Sequence, residues 1–327
     1  MGFSDPLNPN FDPSSPNFRG KRLKRAREVF QEAQQNLVEL LTVHSPKSKS
    51  SQPIVNVDRE IKKINLRAES LGVLSNDRVI NIFIKASNVI KKHGLNIGTE
   101  LSQIYRRNSV DLNCERHMQI FNKFNIIPQF CFGCYKVQVE PRSLLELLKL
   151  FLIFDQISLP ENNTRKCMIE IRPEISGFYK GLIYCSSIEG AYQIADYLEV
   201  IVKEKFGSVL SIAVKRGCSE YSLAFPDYKK INLSGAQHMN YNYNWKNIEE
   251  DYDDNIGTKH KAPIWPSLSC LSLSDVLIFR NWIDYAKGIG DSSAEFLNQD
   301  GVISQKVYKI AKARLDSYSW SDSSGPG

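Results

Sequence analysis

Apolar residues recur at three- and four-residue steps from Lys21 to Leu41 (Leu23, Ala26, Val29, Phe30, Ala33, Leu37, Leu40, Leu41), the spacing of one helical face. Ser45 to Pro53, with two prolines and four serines, breaks that pattern and reads as a linker. Asp58 to Leu71 and Asn76 to His93 are two further amphipathic stretches, and Ile97 to Arg107 is a shorter one, so the first third reads as helical. Residues 1–18, rich in Pro, Ser and Asn, read as a disordered tail.

The period then changes. Phe130 to Glu140 ends in Tyr135, Val137 and Val139 alternating with Lys136, Gln138 and Glu140, which predicts a strand. Ser143-Leu-Leu-Glu146 has the form of a helix-opening capping box before an apolar run to Phe154. Cys167 to Arg172 and Gly177 to Cys185 predict a second and a third strand. Ser186-Ser-Ile-Glu189 predicts a second capping box and helix, and Val209 to Val214 a fourth strand. The order β-α-β-β-α-β most economically makes an α+β, ferredoxin-like antiparallel sheet with both helices on one face. The last third is irregular from Ala224 to Pro266, with helices expected at Ser274 to Lys287 and Ile303 to Tyr318. The expected layout is therefore a tail (1–18), a basic helical domain (19–125), the ferredoxin-like core (126–223) and an α-rich extension packed on it (224–327).

Side-chain alternation assigns Lys136, Gln138, Glu140, Met168, Glu170, Arg172, Lys180 and Tyr184 to the sheet face away from the helices. That face is expected to be an exposed platform.

Composition narrows the class. The chain of 327 residues is 42% apolar and 24% charged, within the range of globular proteins and outside collagen-like or wholly disordered sequences. The longest apolar run, Leu144 to Phe154, is interrupted by Glu146 and Lys149, so no membrane span is expected. The N-terminus lacks a basic-then-apolar signal layout, and the seven cysteines lack the spacing of a disulfide scaffold. Both point to a cytoplasmic protein with reduced thiols. The net charge of +6 is uneven: residues 1–110 hold 18 basic against 10 acidic side chains. Much of that excess is the run Arg19, Lys21, Arg22, Lys24, Arg25, Arg27. A compact basic cluster of this kind neutralises phosphates and displaces their counterions.

Three constellations could carry chemistry. Cys114-Glu-Arg-His117 followed by Cys131-Phe-Gly-Cys134 has the spacing of a Cys3His zinc site, provided that Gly133 turns the chain so the last two thiols converge. Otherwise these thiols are small core residues; a redox pair is disfavoured because the CxxC precedes a strand. The third strand offers Phe178 and Tyr184, with Lys180 and Leu182 between them. This partly resembles the RNA-recognition motif, whose third strand carries alternating aromatics. Base stacking on Phe178 and Tyr184, with Arg172 and Lys180 on phosphates, is the corresponding expectation. Asp251-x-Asp253 resembles the metal-holding DxD of nucleotide-sugar glycosyltransferases, and Tyr241 to Trp245 is an aromatic cluster beside it.

The leading expectation is a nucleic-acid (RNA) binding protein that uses Arg22, Lys24, Arg25 and the exposed sheet face. The alternatives are an enzyme with an inter-domain cleft for an anionic or sugar substrate, in the manner of metal-dependent glycosyl transfer, and a ligand-sensing or scaffolding protein. Elemental zinc and the salt dependence of binding separate them.

Overall fold

A computed structural model of the chain describes residues 52–64, 66, 73–106, 112–173, 175–233, 236–256, 271–297 and 301–322. The described residues form a five-stranded sheet of β1 (Gln103–Arg106), β2 (Tyr135–Glu140), β3 (Arg165–Ile169), β4 (Tyr179–Cys185) and β5 (Ser211–Arg216). The strand order is β1-β3-β4-β2-β5, and every neighbouring pair is antiparallel. The helices are α1 (Gln52–Ile61), α2 (Asn76–Lys92), α3 (Cys114–Phe124), α4 (Leu144–Gln156), α5 (Ile188–Phe206), α6 (Ser219–Ala224), α7 (Lys246–Ile256), α8 (Leu273–Ile289) and α9 (Gln305–Asp322). The chain is thus mixed α+β. Among the described residues no helix is long and apolar enough to cross a membrane.

The alternation read from the sequence is kept. Tyr135, Val137, Val139, Cys167, Ile169, Tyr179, Ile183 and Cys185 share one hydrophobic core with α4 and α5. Gly181 sits in the middle of that face because a Cβ there would overlap Leu150 Cδ2 and press on the Phe154 ring. Helix α4 is apolar nearly all round, and every residue from Leu144 to Asp155 except Glu146 is buried. A second helical layer explains why: Phe279 of α8 stands edge-on to both Phe151 of α4 and Phe83 of α2. Helix caps follow the sequence with one shift. Ser143 accepts from the Glu146 N–H, whereas the second cap is Ser187, accepting from Gly190 N, one residue later than expected.

The first third departs from expectation. Helix α1 begins at Gln52 and ends at Ile61 instead of running from Asp58 to Leu71, with Pro53 in its first turn, where a missing N–H costs nothing. The expected short helix at Ile97 to Arg107 is an extended segment leading into the edge strand β1. Its backbone is claimed by α8: Asn281 Nδ2 donates to the carbonyls of Thr99 and Leu101 (2.7 and 2.8 Å), and Trp282 Nε1 donates to that of Ser102 (2.9 Å). Those carbonyls therefore do not serve helical bonds. Val57, Ile61, Val79, Phe83 and Ile90 of α1 and α2 join the same hydrophobic cluster as the sheet. The helix expected at Lys21 to Leu41 lies outside the described residues.

Candidate functional site

The sheet face away from α4 and α5 carries Lys136, Gln138, Lys166, Met168, Lys180, Leu182 and Tyr184, in the register predicted by alternation. It is not an exposed platform. Lys136, Gln138, Met168, Glu170, Lys180 and Tyr184 are each at most 8% exposed. The cover comes from both flanks: Leu112 and Cys134 pack on Met168, Leu182 and Tyr184, and Glu220 of α6 reaches Arg172. Gly217 makes the second flank's turn at φ +52°, where a Cβ would collide with the Tyr228 ring, and its N–H donates to Cys134 O (2.8 Å).

The centre of the buried face is one carboxylate shared by two cations. Glu170 is fully buried and accepts from Arg172 Nε (2.7 Å) and Nη2 (2.6 Å) and from Lys180 Nζ (2.9 Å). Arg172 also donates through Nη1 to Glu220. Burial alone would raise the Glu170 pKa, but the charges and hydrogen bonds of Arg172 and Lys180 outweigh it and hold the carboxyl down at about 2. Burial pulls Lys180 down to about 8 against the opposing pull of Glu170. The surrounding backbone is tied as well. Tyr285 OH donates to Glu170 O (2.5 Å), and the Arg314 guanidinium donates to the carbonyls of Arg172, Ile175 and Gly177.

This closes the expected role of Arg172, Phe178, Lys180 and Tyr184 as a ligand platform. The charges of Arg172 and Lys180 are spent on Glu170, Phe178 lies under Arg314 (5.5 Å to the ring) and against Tyr285, and Tyr184 is buried beneath the Lys166 ammonium. Lys166 itself donates to Gln103 Oε1 (3.1 Å) and Tyr105 OH (3.3 Å), and burial lowers its pKa. Sequence reasoning placed Lys136, Glu170 and Lys180 on a common face but missed Glu220. Its only signal is an acidic residue in the first turn of a helix.

Of the four expected zinc ligands, Cys114, Cys131 and Cys134 lie near enough to one another and to Cys218 to raise each other's pKa, but they sit in different packing environments. The chain does turn at Gln129–Gly133, with Cys134 N–H donating to Cys131 O (3.2 Å), and the two cysteines enter different hydrophobic clusters. Cys131 Sγ meets Tyr221 OH (3.5 Å) inside a cluster with Phe121, Ile127 and Tyr228, while Cys134 joins the sheet-face cluster. The His117 ring stacks on Phe130 with centroids 5.1 Å apart. Among the described residues no group of three or more His, Cys, Asp or Glu is placed to hold a metal. Burial, and then the neighbouring thiols, push Cys114 and Cys134 up to about 12, so both stay protonated at neutral pH. A protonated thiol is a poor nucleophile.

The acidic segment is helical. Asp251 and Asp253 stand on α7, where residues two apart point in different directions, so the DxD cannot grip one cation. Asp253 is held bidentately by Arg116 (2.6 and 2.7 Å), and Glu249 accepts from Gln129 N–H (2.8 Å) and Tyr241 OH (2.9 Å). Tyr241 and Trp245 pack on Phe132 instead of presenting a stacking surface.

Arg22, Lys24 and Arg25 lie outside the described residues. The basic excess continues where α1 and α2 end together. Glu60 accepts from Lys92 Nζ (2.9 Å) and contacts His93 Nε2 (2.8 Å), and around this junction Arg59, Lys62, Lys63, Lys91 and Lys92 are exposed. Comparison of the chain with protein-family models, curated proteins and solved structures gives no match.

Proposed function

We propose that this protein binds nucleic acid through its N-terminal basic surface, with the sheet serving as a scaffold. The observation that carries this reading is the convergence of Arg59, Lys62, Lys63, Lys91 and Lys92 at the joined ends of α1 and α2, where Glu60 and Asp58 are the acidic neighbours. Along the sequence these cations follow the basic run containing Arg22, Lys24 and Arg25. The helix C-terminus favours cations there, and exposed ammonium groups suit a phosphate backbone better than base edges, so the contact is sequence-tolerant. Within the same reading, β2 to β5 with α4 and α5 form a ferredoxin-like unit. The chain order β2-α4-β3-β4-α5-β5 and the strand order β3-β4-β2-β5 support that description.

The test is fluorescence anisotropy with a labelled single-stranded oligonucleotide across a salt series. The logarithm of the binding constant should fall linearly with that of salt, by about 0.7 per phosphate neutralised. Replacing Arg22, Lys24 and Arg25 by Gln, and separately Arg59 and Lys63, should flatten the slope. Binding that ignores salt, or none, overturns the reading.

A further inference from the structure

Helix α2 carries the basic surface at its C-terminal end and borders a cavity of about 250 Å³ at its first residue, Asn76. The helix is 17 residues long, so about 25 Å separate the two. Around the cavity the start of α2 meets the start of α4, the end of α5 and the 3-10 turn Ser292–Leu297. Lys149 of α4 lines it. That residue is 8% exposed and makes no hydrogen bond or ion pair among the described residues, yet its ammonium is not sealed off. The ammonium lies 5.8 Å from the centroid of the Phe206 ring, which is also part of the wall. Burial lowers the Lys149 pKa, and the Glu146 carboxylate restores only part of that loss. Glu146 is itself engaged, accepting from Arg142 Nε (3.3 Å), Nη2 (2.7 Å) and backbone N–H (2.7 Å). A buried ammonium without a counter-ion costs free energy that an anion restores. The serines beside it are set to donate. Ser143 Oγ accepts from Glu146 N–H (3.3 Å), Ser293 Oγ from Leu145 N–H (3.4 Å) and Ser208 Oγ from Arg142 Nη2 (3.3 Å). A hydroxyl that accepts an N–H keeps its own hydrogen to give, so three O–H donors and one ammonium border a single space.

From this geometry we propose that the cavity is a binding site for a phosphate group, free or carried as the monoester of a small molecule. Its negative charge answers that of Lys149. Its three terminal oxygens give each of the hydroxyls and the ammonium an acceptor, which the two oxygens of a carboxylate do less completely. The volume exceeds the ~150 Å³ that takes up a benzene ring and falls short of the ~300 Å³ at which pockets for drug-sized ligands begin. The phosphate can therefore bring one ring and little more. Phe296, on the wall and 60% exposed, offers that ring a face.

The experiment is calorimetric titration of the full chain, at constant ionic strength, with phenyl phosphate, inorganic phosphate, benzoate and phenol. At least one of the two phosphates should bind with a Kd on the order of a millimolar or tighter, the range open to a ligand of this size. Tighter binding of phenyl phosphate assigns the site to an ester, and inorganic phosphate binding at least as tightly assigns it to the free ion; each supports the proposal. Benzoate and phenol should bind at least about tenfold more weakly than the better phosphate. Lys149→Met should lose phosphate by a similar factor and, because it removes an unpaired buried charge, melt no lower than the parent. Ser208→Ala is the second variant. Its hydroxyl holds only the exposed Arg142, so the change should leave melting unaltered and weaken phosphate several-fold. Lys92→Gln, on the basic surface, should bind phosphate like the parent. The proposal is overturned if neither phosphate binds, or if benzoate or phenol binds as well as the better one. It is overturned equally if Lys149→Met, or Ser208→Ala should the first not fold, binds like the parent, or if Lys92→Gln abolishes binding. The salt slope of oligonucleotide binding should be the same in Lys149→Met as in the parent, so this proposal and the one for α1 and α2 fail separately.

Discussion

One sheet separates two interiors of opposite chemistry. On the α4–α5 side the strands present Val137, Val139, Ile169 and Ile183, packed on leucines and phenylalanines. On the other side the same strands present Lys136, Lys166, Lys180 and, just past β3, Glu170, almost as deeply buried. The contrast shows that polar alternation along a strand predicts direction, not exposure. A charged face can be sealed where carboxylates match its cations, as Glu170 and Glu220 match Arg172 and Lys180, or where neutral oxygens accept from them, as those of Gln103 and Tyr105 do from Lys166. The apolar side is held by close packing, in which any added volume is felt. The polar side is held by pairing, in which any uncompensated charge is felt. Perturbing each side in its own currency tests the distinction.

The largest effect is expected from Glu170→Gln. It leaves Arg172 and Lys180 buried without the carboxylate they share, a change that typically costs about 3–5 kcal/mol. Urea unfolding should show the midpoint fall by that loss divided by the slope against denaturant, the slope itself being unchanged. A loss below about 1 kcal/mol would mean that the pair is solvated, and the sealed-face description would fail. Acid probes the same carboxylate more gently. Because its folded pKa is lowered from 4.5 to about 2, its contribution is fully present above pH 4.5 and is lost as pH falls from there toward 2. Lys180 acts at the other end. Its folded pKa is depressed to about 8, so its charging opposes folding below that pH and the penalty lifts as pH rises from 8 to 10.5. The acid-limb slope should be shallower in Glu170→Gln than in the parent; equal slopes would reassign the titration to other carboxylates.

On the apolar side the matching probe is Gly181→Ala. The added methyl must displace Leu150 and Phe154, both buried in α4, and overpacking of this kind costs roughly 1–3 kcal/mol. The loss should not change with pH between 3 and 9, in contrast to Glu170→Gln. A pH-dependent loss would tie the two interiors together.

These differences trace back to what the sequence could and could not disclose. Strands β2 to β4 were legible from their alternating positions, which placed Lys136, Met168 and Lys180 on one face; Lys166, one residue before the expected start of the second strand, was missed. Strand β1 was not legible. Ile97, Leu101 and Ile104 recur at helical spacing, and what makes the segment extended is pairing with β3 and the side chains of Asn281 and Trp282, more than 170 residues away. Helix α7 was hidden by its acidic residues. Ile248 and Tyr252, packed with Ile120 and Ile126, and Glu249, tied to Arg116, mark its inward side. The turn at Gly133 was foreseen, but spacing does not say that Cys131 and Cys134 join different clusters, and among the described residues no group of three or more His, Cys, Asp or Glu is placed to hold a metal.

The smallest effect on stability, and the one that separates holding from binding, concerns a lysine paired like Lys180 but in water. Lys92 donates to Glu60 at 2.9 Å, the same distance as Lys180 to Glu170, yet its side chain is 68% exposed where that of Lys180 is 4%. An exposed pair gains little because water and salt compete for both charges. Lys92→Gln should therefore leave the melting temperature within about 2 °C of the parent, whereas Lys180→Gln should lower it by several times as much. The order reverses for nucleic acid. Lys92→Gln should reduce the salt slope of oligonucleotide binding by about 0.7, and Lys180→Gln, where still folded, should leave it unchanged. If instead the buried lysine alters the slope and the exposed one does not, the phosphate-contacting surface has been placed on the wrong side of the molecule.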